Sequence, residues 1–301
     1  MRCEDLPITI DEDFTFDDHL VCSPDVKMTM FEVENNPVIG CKGHIISGIK
    51  DGKKGSRAFN VHGGATFKNC ILHNHDFAIE RSAPGKGDDL IVEGTTISAT
   101  FSAIIAGTII QPTVPNEDML NVKVKNSSIL GCVNGIKVET NGEEFKVENT
   151  NIISYGENGV TLCVQAASVS EDVSQIDEEN PGIQIMGTLE KVALKEASIT
   201  GHYVGVEIGG DISNKLSLEG AQIRYNEEAN IYFSNTSFVN NLKLKDSDFC
   251  QKDSAADILF EKEHSTTVTN VELRDTVKCD SIASATSVSS NIFCTTGCDS
   301  P

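Results

Sequence analysis

The sequence predicts one all-β domain folded as a single-stranded right-handed parallel β-helix, a solenoid of roughly ten coils stacked about 4.8 Å apart. Three observations carry that prediction. A short pattern, seen as Val124-Lys125-Asn126-Ser127-Ser128-Ile129, starts again at Cys41, Phe67, Val92, Val147, Leu194, Leu218, Leu244 and Leu273. Successive starts lie 26, 25, 32, 23, 47, 24, 26 and 29 residues apart, which is the signature of a repeat. Each copy also holds strands too short to bury a sheet face alone, so the copies must stack on one another.

Within a copy the residues have distinct duties. Two places before each start stand Ile39, Ala65, Leu90, Val122, Phe145, Val192, Leu216, Leu242 and Val271. With the start residue they give the period-two alternation of a strand with one buried face. The next place holds Lys42, Lys68, Glu93, Lys125, Glu148, Lys195, Glu219, Lys245 and Arg274, all charged and therefore facing water. After it come Gly43, Asn69, Gly94, Asn126, Asn149, Glu196, Gly220, Asp246 and Asp275. Gly, Asn and Asp enter left-handed backbone most cheaply, so a bend is expected in every copy, with Glu196 the poor fit. One place further is a column of small residues, Cys70, Thr95, Ser127, Thr150, Ala197, Ala221, Ser247 and Thr276. Re-entry to the core follows at Ile46, Leu72, Ile97, Ile129, Ile152, Ile199, Ile223 and Phe249, with Lys278 breaking the series. A third strand is marked by Ile79, Ile104, Ile136 and Val206, with Val160 and Ile231 displaced by one.

Along the chain, residues 1–30 read as an irregular N-terminal coil that closes one end, through Ile8-Thr9-Ile10, Phe14-Thr15-Phe16 and Leu20-Val21-Cys22. Regular coils are expected over 31–280, with insertions near 105–118 and 165–182. The second accounts for the 47-residue spacing either as a degenerate coil or as a long acidic loop. Residues 281–301 read as a C-terminal cap or tail. The outward place just before re-entry is polar in mid-rod but apolar at Ile45, Ile71 and Val277, which suggests covered ends or a protein partner there.

The segment Cys41-Lys42-Gly43-His44-Ile45-Ile46-Ser47-Gly48 resembles the C-x-G-H-x-I-x-G opening of β-helix repeat proteins of the carbohydrate-binding and sugar-hydrolase type, called NosD-like or CASH-type, with a pectate-lyase-like fold. Leu20-Val21-Cys22, Phe67-Lys68-Asn69-Cys70-Ile71 and Asn134-Gly135-Ile136-Lys137-Val138 are similar to further units of that family. The resemblance spans most of residues 20–280. It implies lyases, hydrolases, epimerases or accessory binding proteins, and His44 as a structural residue. A lyase of this kind would stack a Lys or Arg base near acidic Ca²⁺ ligands.

The net charge is −21, from 45 acidic and 24 basic residues, which disfavours nucleic acid, anionic membranes and polyanionic sugars as unassisted partners. No apolar run is long enough for a membrane helix. Ten cysteines, and sequons at Asn126 and Asn235, point to an oxidising, extracellular or secretory setting, although the chain opens without a signal peptide. Cys22 and Cys41 fall in consecutive coils, as a disulfide or as two stacked thiols. Cys70 reads as a packing residue, and Cys294 with Cys298 as a small closed loop. Cys3, Cys132, Cys163, Cys250 and Cys279 stay unassigned.

Candidate chemistry is sparse. His73 and His75, two apart in extended chain, would point to one side with Asp76 orienting an imidazole, or would simply form a polar turn. Asp88 and Asp89 are candidates for Ca²⁺, the one cofactor considered. The outward places of the third strand give Glu80, Ile105, Lys137, Thr161, Glu207 and Tyr232, with Arg81 beside Glu80. Zero Trp and four Tyr leave few sugar-stacking platforms. The expected function is a secreted or surface-associated module that binds a polysaccharide or glycan, or is structural, without catalysis. The alternatives are a polysaccharide lyase, hydrolase or epimerase, and a subunit of a larger assembly.

Overall fold

A computed structural model describes residues 3–22, 29–48, 56–83, 89–106, 120–131, 134–139, 141–154, 181–234, 238–249, 256–260, 267–268, 272–274, 278–279 and 282–283. Its strands form two sheets, of 19 and 12 strands among the described residues, and every recorded pairing is parallel. The fold is a parallel β-helix. One coil illustrates the rest: Leu189–Lys195 lies in the smaller sheet, Glu196 bends the chain, and Ser198–Thr200 and Val204–Ile208 lie in the larger one. Each strand pairs with its equivalent in the coils before and after, as Val192 does with Phe145 and Leu216.

The bends have the left-handed geometry their residues suit. Asn69, Asn126, Asn149, Glu196 and Asp246 have φ between 46° and 53°, with Gly43, Gly94 and Gly220 also positive; Asp275 lies outside the described residues. From Asn69 to Gly220 each bend amide donates to the carbonyl ahead of the next coil's bend, as from Asn69 to Glu93 at 2.9 Å and from Glu196 to Glu219 at 2.8 Å. Asn149 Nδ2 also donates to Asn126 Oδ1 at 2.9 Å.

The small column beside the bends carries a buried hydroxyl ladder at Thr95, Ser127 and Thr150. Ser127 Oγ donates to Lys125 O at 2.8 Å and accepts the Thr95 amide at 3.2 Å. Thr150 Oγ1 treats Glu148 O and the Ser127 amide in the same way, at 2.9 and 3.4 Å. Hydroxyls thus satisfy amides where the coil turns away from its sheet, which a purely apolar column would leave unpaired.

Inward residues form one continuous core of Ile, Leu, Val and Phe. Phe16, Phe31, Phe59 and Phe67 fill its N-terminal part in successive ring contacts at centroid distances of 4.8–6.5 Å. Residues 8–21 are a true first coil, with Ile8–Ile10 paired to Thr29–Glu34 and Leu20–Val21 to Ile45–Ser47. The 3₁₀ turn Cys3–Asp5 and the buried Leu6 lie against that end.

The expected cysteine pairing needs correction. Cys22 and Cys41 are not partners: the disulfides are Cys3–Cys22 and Cys41–Cys70, with Cα separations of 5.4 and 4.7 Å. Cys70 begins the segment just past its bend and so stands over the end of the preceding coil's strand, where Cys41 sits; Cys22 faces the cap instead. Cys294 and Cys298 lie outside the described residues. Of the two readings of the 47-residue spacing, the pairing supports one coil plus an insertion. Asn151–Ile153 pairs directly with Ser198–Thr200, and Gly142–Glu148 directly with Leu189–Lys195, which leaves no rung between them. Ile45 and Ile71 are half-buried and paired to each other; Val277 lies outside the described residues. Ala106, read as the first residue of a longer loop, still belongs to the strand Thr96–Ala106.

Candidate functional site

The third strand of each coil presents one outward column on the larger sheet. Register places Glu32, Asn60, Glu80, Ile105, Lys137, Gln184, Glu207, Tyr232 and Leu259 side by side on successive rungs. Gln184 stands where Thr161 was expected, because the insertion adds no rung; Thr161 itself lies outside the described residues. The signal was present in the sequence: Pro181-Gly182-Ile183-Gln184-Ile185 repeats the pattern of Val204-Gly205-Val206-Glu207-Ile208.

At the N-terminal end of this column Glu32 Oε2 accepts from Asn60 Nδ2 and from His62 Nε2, both at 2.8 Å. Arg57 donates from Nε to Glu80 and lies over the Phe77 ring, 5.8 Å from its centroid. Glu32 and Glu80 are two rungs apart, about 9.5 Å along the stack. Glu32, Arg57 and Asn60 were not singled out in the sequence, since the third-strand series read there begins only at Ile79. Arg81 sits at a bulge in register with the inward Val61 and is buried, so it does not share the outward face with Glu80.

Nearer the C-terminus the column becomes a patch of two columns by three rungs. Gln184 Nε2 donates to Glu207 Oε2 at 2.7 Å, and Tyr232 lies on the next rung. In the neighbouring column are Met186, 46% exposed, then Gly209 and Ser234. A Cβ at Gly209 would fall 2.7 Å from the Met186 sulfur and 2.9 Å from Ser234 Oγ, so the bare glycine leaves room for the flexible Met186 side chain. The thioether therefore folds over Gly209 and stays beside the Glu207–Tyr232 rungs. Lys137, two rungs from Glu207, is engaged on its own strand by Glu139 at 2.5 Å.

The histidine pair does not converge. Asn74 between them is left-handed, φ 58°, which breaks the two-residue alternation; His73 is exposed and His75 is 1% exposed. His75 Nε2 lies 3.2 Å from the Gly48 amide and 3.3 Å from Ile46 O, and burial pushes its pKa down to about 4. Asp76 does not orient an imidazole: its carboxylate accepts the Ser56 amide, and its own amide donates to Ser56 Oγ, so it closes a turn. His202 occupies a similar inner corner in a later coil, is also held near pKa 4 by burial, and donates its backbone amide to Asn226 Oδ1 at 3.0 Å.

Asp89 accepts from Asn121 and Lys123, at 2.8 and 3.1 Å, so its carboxylate already faces donors and does not fit a Ca²⁺ ligand role. Asp88 lies outside the described residues. Among the described residues no group of three His, Cys, Asp or Glu side chains is placed to hold a metal. Nor is any helix among them long and apolar enough to cross a membrane.

Compared with protein-family models, with curated proteins and with solved structures, the chain gives no significant match. The class is set by the fold, an all-parallel β-helix with two disulfides, and the functional reading rests on the geometry of the outward column.

Proposed function

We propose that this protein is an extracellular, non-catalytic β-helix module that binds glycans along the outward column of its larger sheet. The observation that carries the reading is the patch formed by Gln184, Met186, Glu207 and Tyr232. It combines an amide and a carboxylate for hydroxyl groups with a phenol ring and a thioether for the C–H face of a sugar. Three rungs span about 10 Å and alternate residues of a strand about 6.6 Å, a footprint of one or two sugar rings. The backbone beneath is hydrogen-bonded on both sides, so little ordering cost falls on binding. The disulfides suit an oxidising compartment.

A second reading, a hydrolase, draws on Glu32 and Glu80, whose spacing approaches that of an inverting carboxylate pair. Their engagement by His62, Asn60 and Arg57 weighs against it. A glycan array run alongside a depolymerisation assay tests both. Binding without cleavage, weakened about tenfold by Tyr232→Ala, is expected. Cleavage lost in Glu80→Gln would establish the enzyme instead, and a silent array would remove the glycan reading.

A further inference from the structure

Three of the left-handed bends are built on asparagine, Asn69, Asn126 and Asn149, and only Asn126 opens a sequon. It is followed by Ser127-Ser128, whereas Asn69 is followed by Cys70-Ile71 and Asn149 by Thr150-Asn151, with no hydroxyl at the second place. The side-chain amides differ in the same sense. Asn126 Oδ1 accepts from Asn149 Nδ2 at 2.9 Å, so the nitrogen is engaged at Asn149 and the oxygen at Asn126. One coil earlier, in register with the Asn126 bend, stands Gly94, which has no side chain to accept from Asn126 Nδ2. Asn126 and Ser128 are exposed, while Ser127 between them is buried, its hydroxyl on Lys125 O at 2.8 Å. The bend itself uses the Asn126 backbone amide, which donates to Glu148 O at 3.0 Å, and Oδ1. A sugar on Nδ2 competes with neither.

We infer that Asn126 carries an N-linked glycan, which rests on the extracellular part of the functional reading and is independent of the glycan-binding patch. The donor class is a polyprenyl-diphosphate-linked oligosaccharide. The bond from C1 of its first N-acetylglucosamine to the diphosphate oxygen breaks, a C1–Nδ2 bond forms, and Nδ2 gives up one proton as the diphosphate departs with the electron pair. The second Nδ2 hydrogen and the Oδ1 acceptor remain, so the bond from Asn149 survives. The bend follows the strand Leu120–Lys125, and Ser128–Gly131 separates it from the third strand, Asn134–Val138, so the sugar stands off the outward column.

The full chain, secreted from insect cells behind a cleavable leader, is treated with peptide N-glycosidase in heavy-oxygen water and mapped by peptide mass spectrometry. Most secreted, disulfide-bonded molecules should show labelled aspartate in place of Asn126, with Asn69 and Asn149 unlabelled. Ser128→Ala, a change on an exposed side chain, should remove that label while the protein stays secreted and folded; Ser128→Thr should keep or raise it. An unlabelled Asn126 in the secreted fraction, or label confined to molecules retained in the cell, would overturn the assignment and leave the extracellular reading standing. If the parent and Ser128→Ala alike failed to leave the cell or to form Cys41–Cys70, the compartment and the glycan would fall together.

Discussion

A left-handed bend built on glutamate should cost stability that can be recovered. Glu196 has φ 50° in a column otherwise made of Gly, Asn and Asp. A side chain with Cβ loses about 1–2 kcal/mol in that region. Replacement by glycine relieves this but adds about 0.5–1 kcal/mol of unfolded-chain entropy. The Glu196 carboxylate is 3.9 Å from Lys195 with both side chains largely exposed, so losing that pair changes almost nothing. Glu196→Gly should therefore stabilise by roughly 0.5–1 kcal/mol, a rise of about 1–3 °C in melting temperature for a chain of this size.

The same column supplies the reverse experiment. Gly220→Ala places a Cβ 3.4 Å from Glu196 Cγ at φ 62°, and should destabilise by a similar amount. Gly94→Ala should cost more, because its Cβ would lie 2.5 Å from Asn69 Oδ1. Thermal unfolding by circular dichroism ranks the three. Stacked coils can open separately, so hydrogen exchange at the Asn149 and Glu196 amides, which bridge this bend to its neighbours, gives the local reading. An unchanged or lower melting temperature for Glu196→Gly, with Gly220→Ala neutral, would refute the idea that the bends are energetically demanding.

Cys41→Ala with Cys70→Thr removes the inter-coil disulfide while keeping both places small, with Thr the residue that Thr95 carries at the Cys70 place of the next coil, which isolates the crosslink from the packing. For a sequence separation of 29 the chain-entropy model assigns it about 3.5 kcal/mol, so the urea midpoint under non-reducing conditions should drop clearly; an unchanged midpoint rejects the pairing. The two buried imidazoles give a pH dependence. Both have folded pKa values near 4, below the ordinary 6.5, so between those values the unfolded chain binds protons the folded chain refuses. Stability should be full above pH 6.5 and fall as pH drops towards 4, by roughly 3 kcal/mol per imidazole. His202→Asn, matching Asn226 on the next coil, should flatten that slope; a profile parallel to the parent's would show that His202 does not titrate this way.

The local rules of each coil were legible because they are one-dimensional. Alternation, a bend residue, a small residue and an apolar re-entry repeat at fixed offsets. The left-handed Asn69, Asn126 and Asn149 follow from residue type, and the awkward Glu196 from its place in the repeat. The outward column was readable wherever that count held, which is why Glu80, Lys137, Glu207 and Tyr232 fall into one line. Counting failed at the insertion, which shifted the prediction to Thr161 and hid Gln184 and Met186. It failed again at Asn74, where one left-handed residue turned His73 outward and His75 inward.

The sequence by itself determined a stack of short parallel strands, because burying alternate residues of such strands leaves no other economical arrangement. Only the tertiary structure decided which residues of different coils touch: Cys41 with Cys70, Gln184 with Glu207, and Met186 over Gly209. Those contacts join residues 23–29 apart in sequence, through loops of varied length. Their pairing depends on how many rungs each loop adds, a quantity set by long-range strand registry that no local pattern encodes.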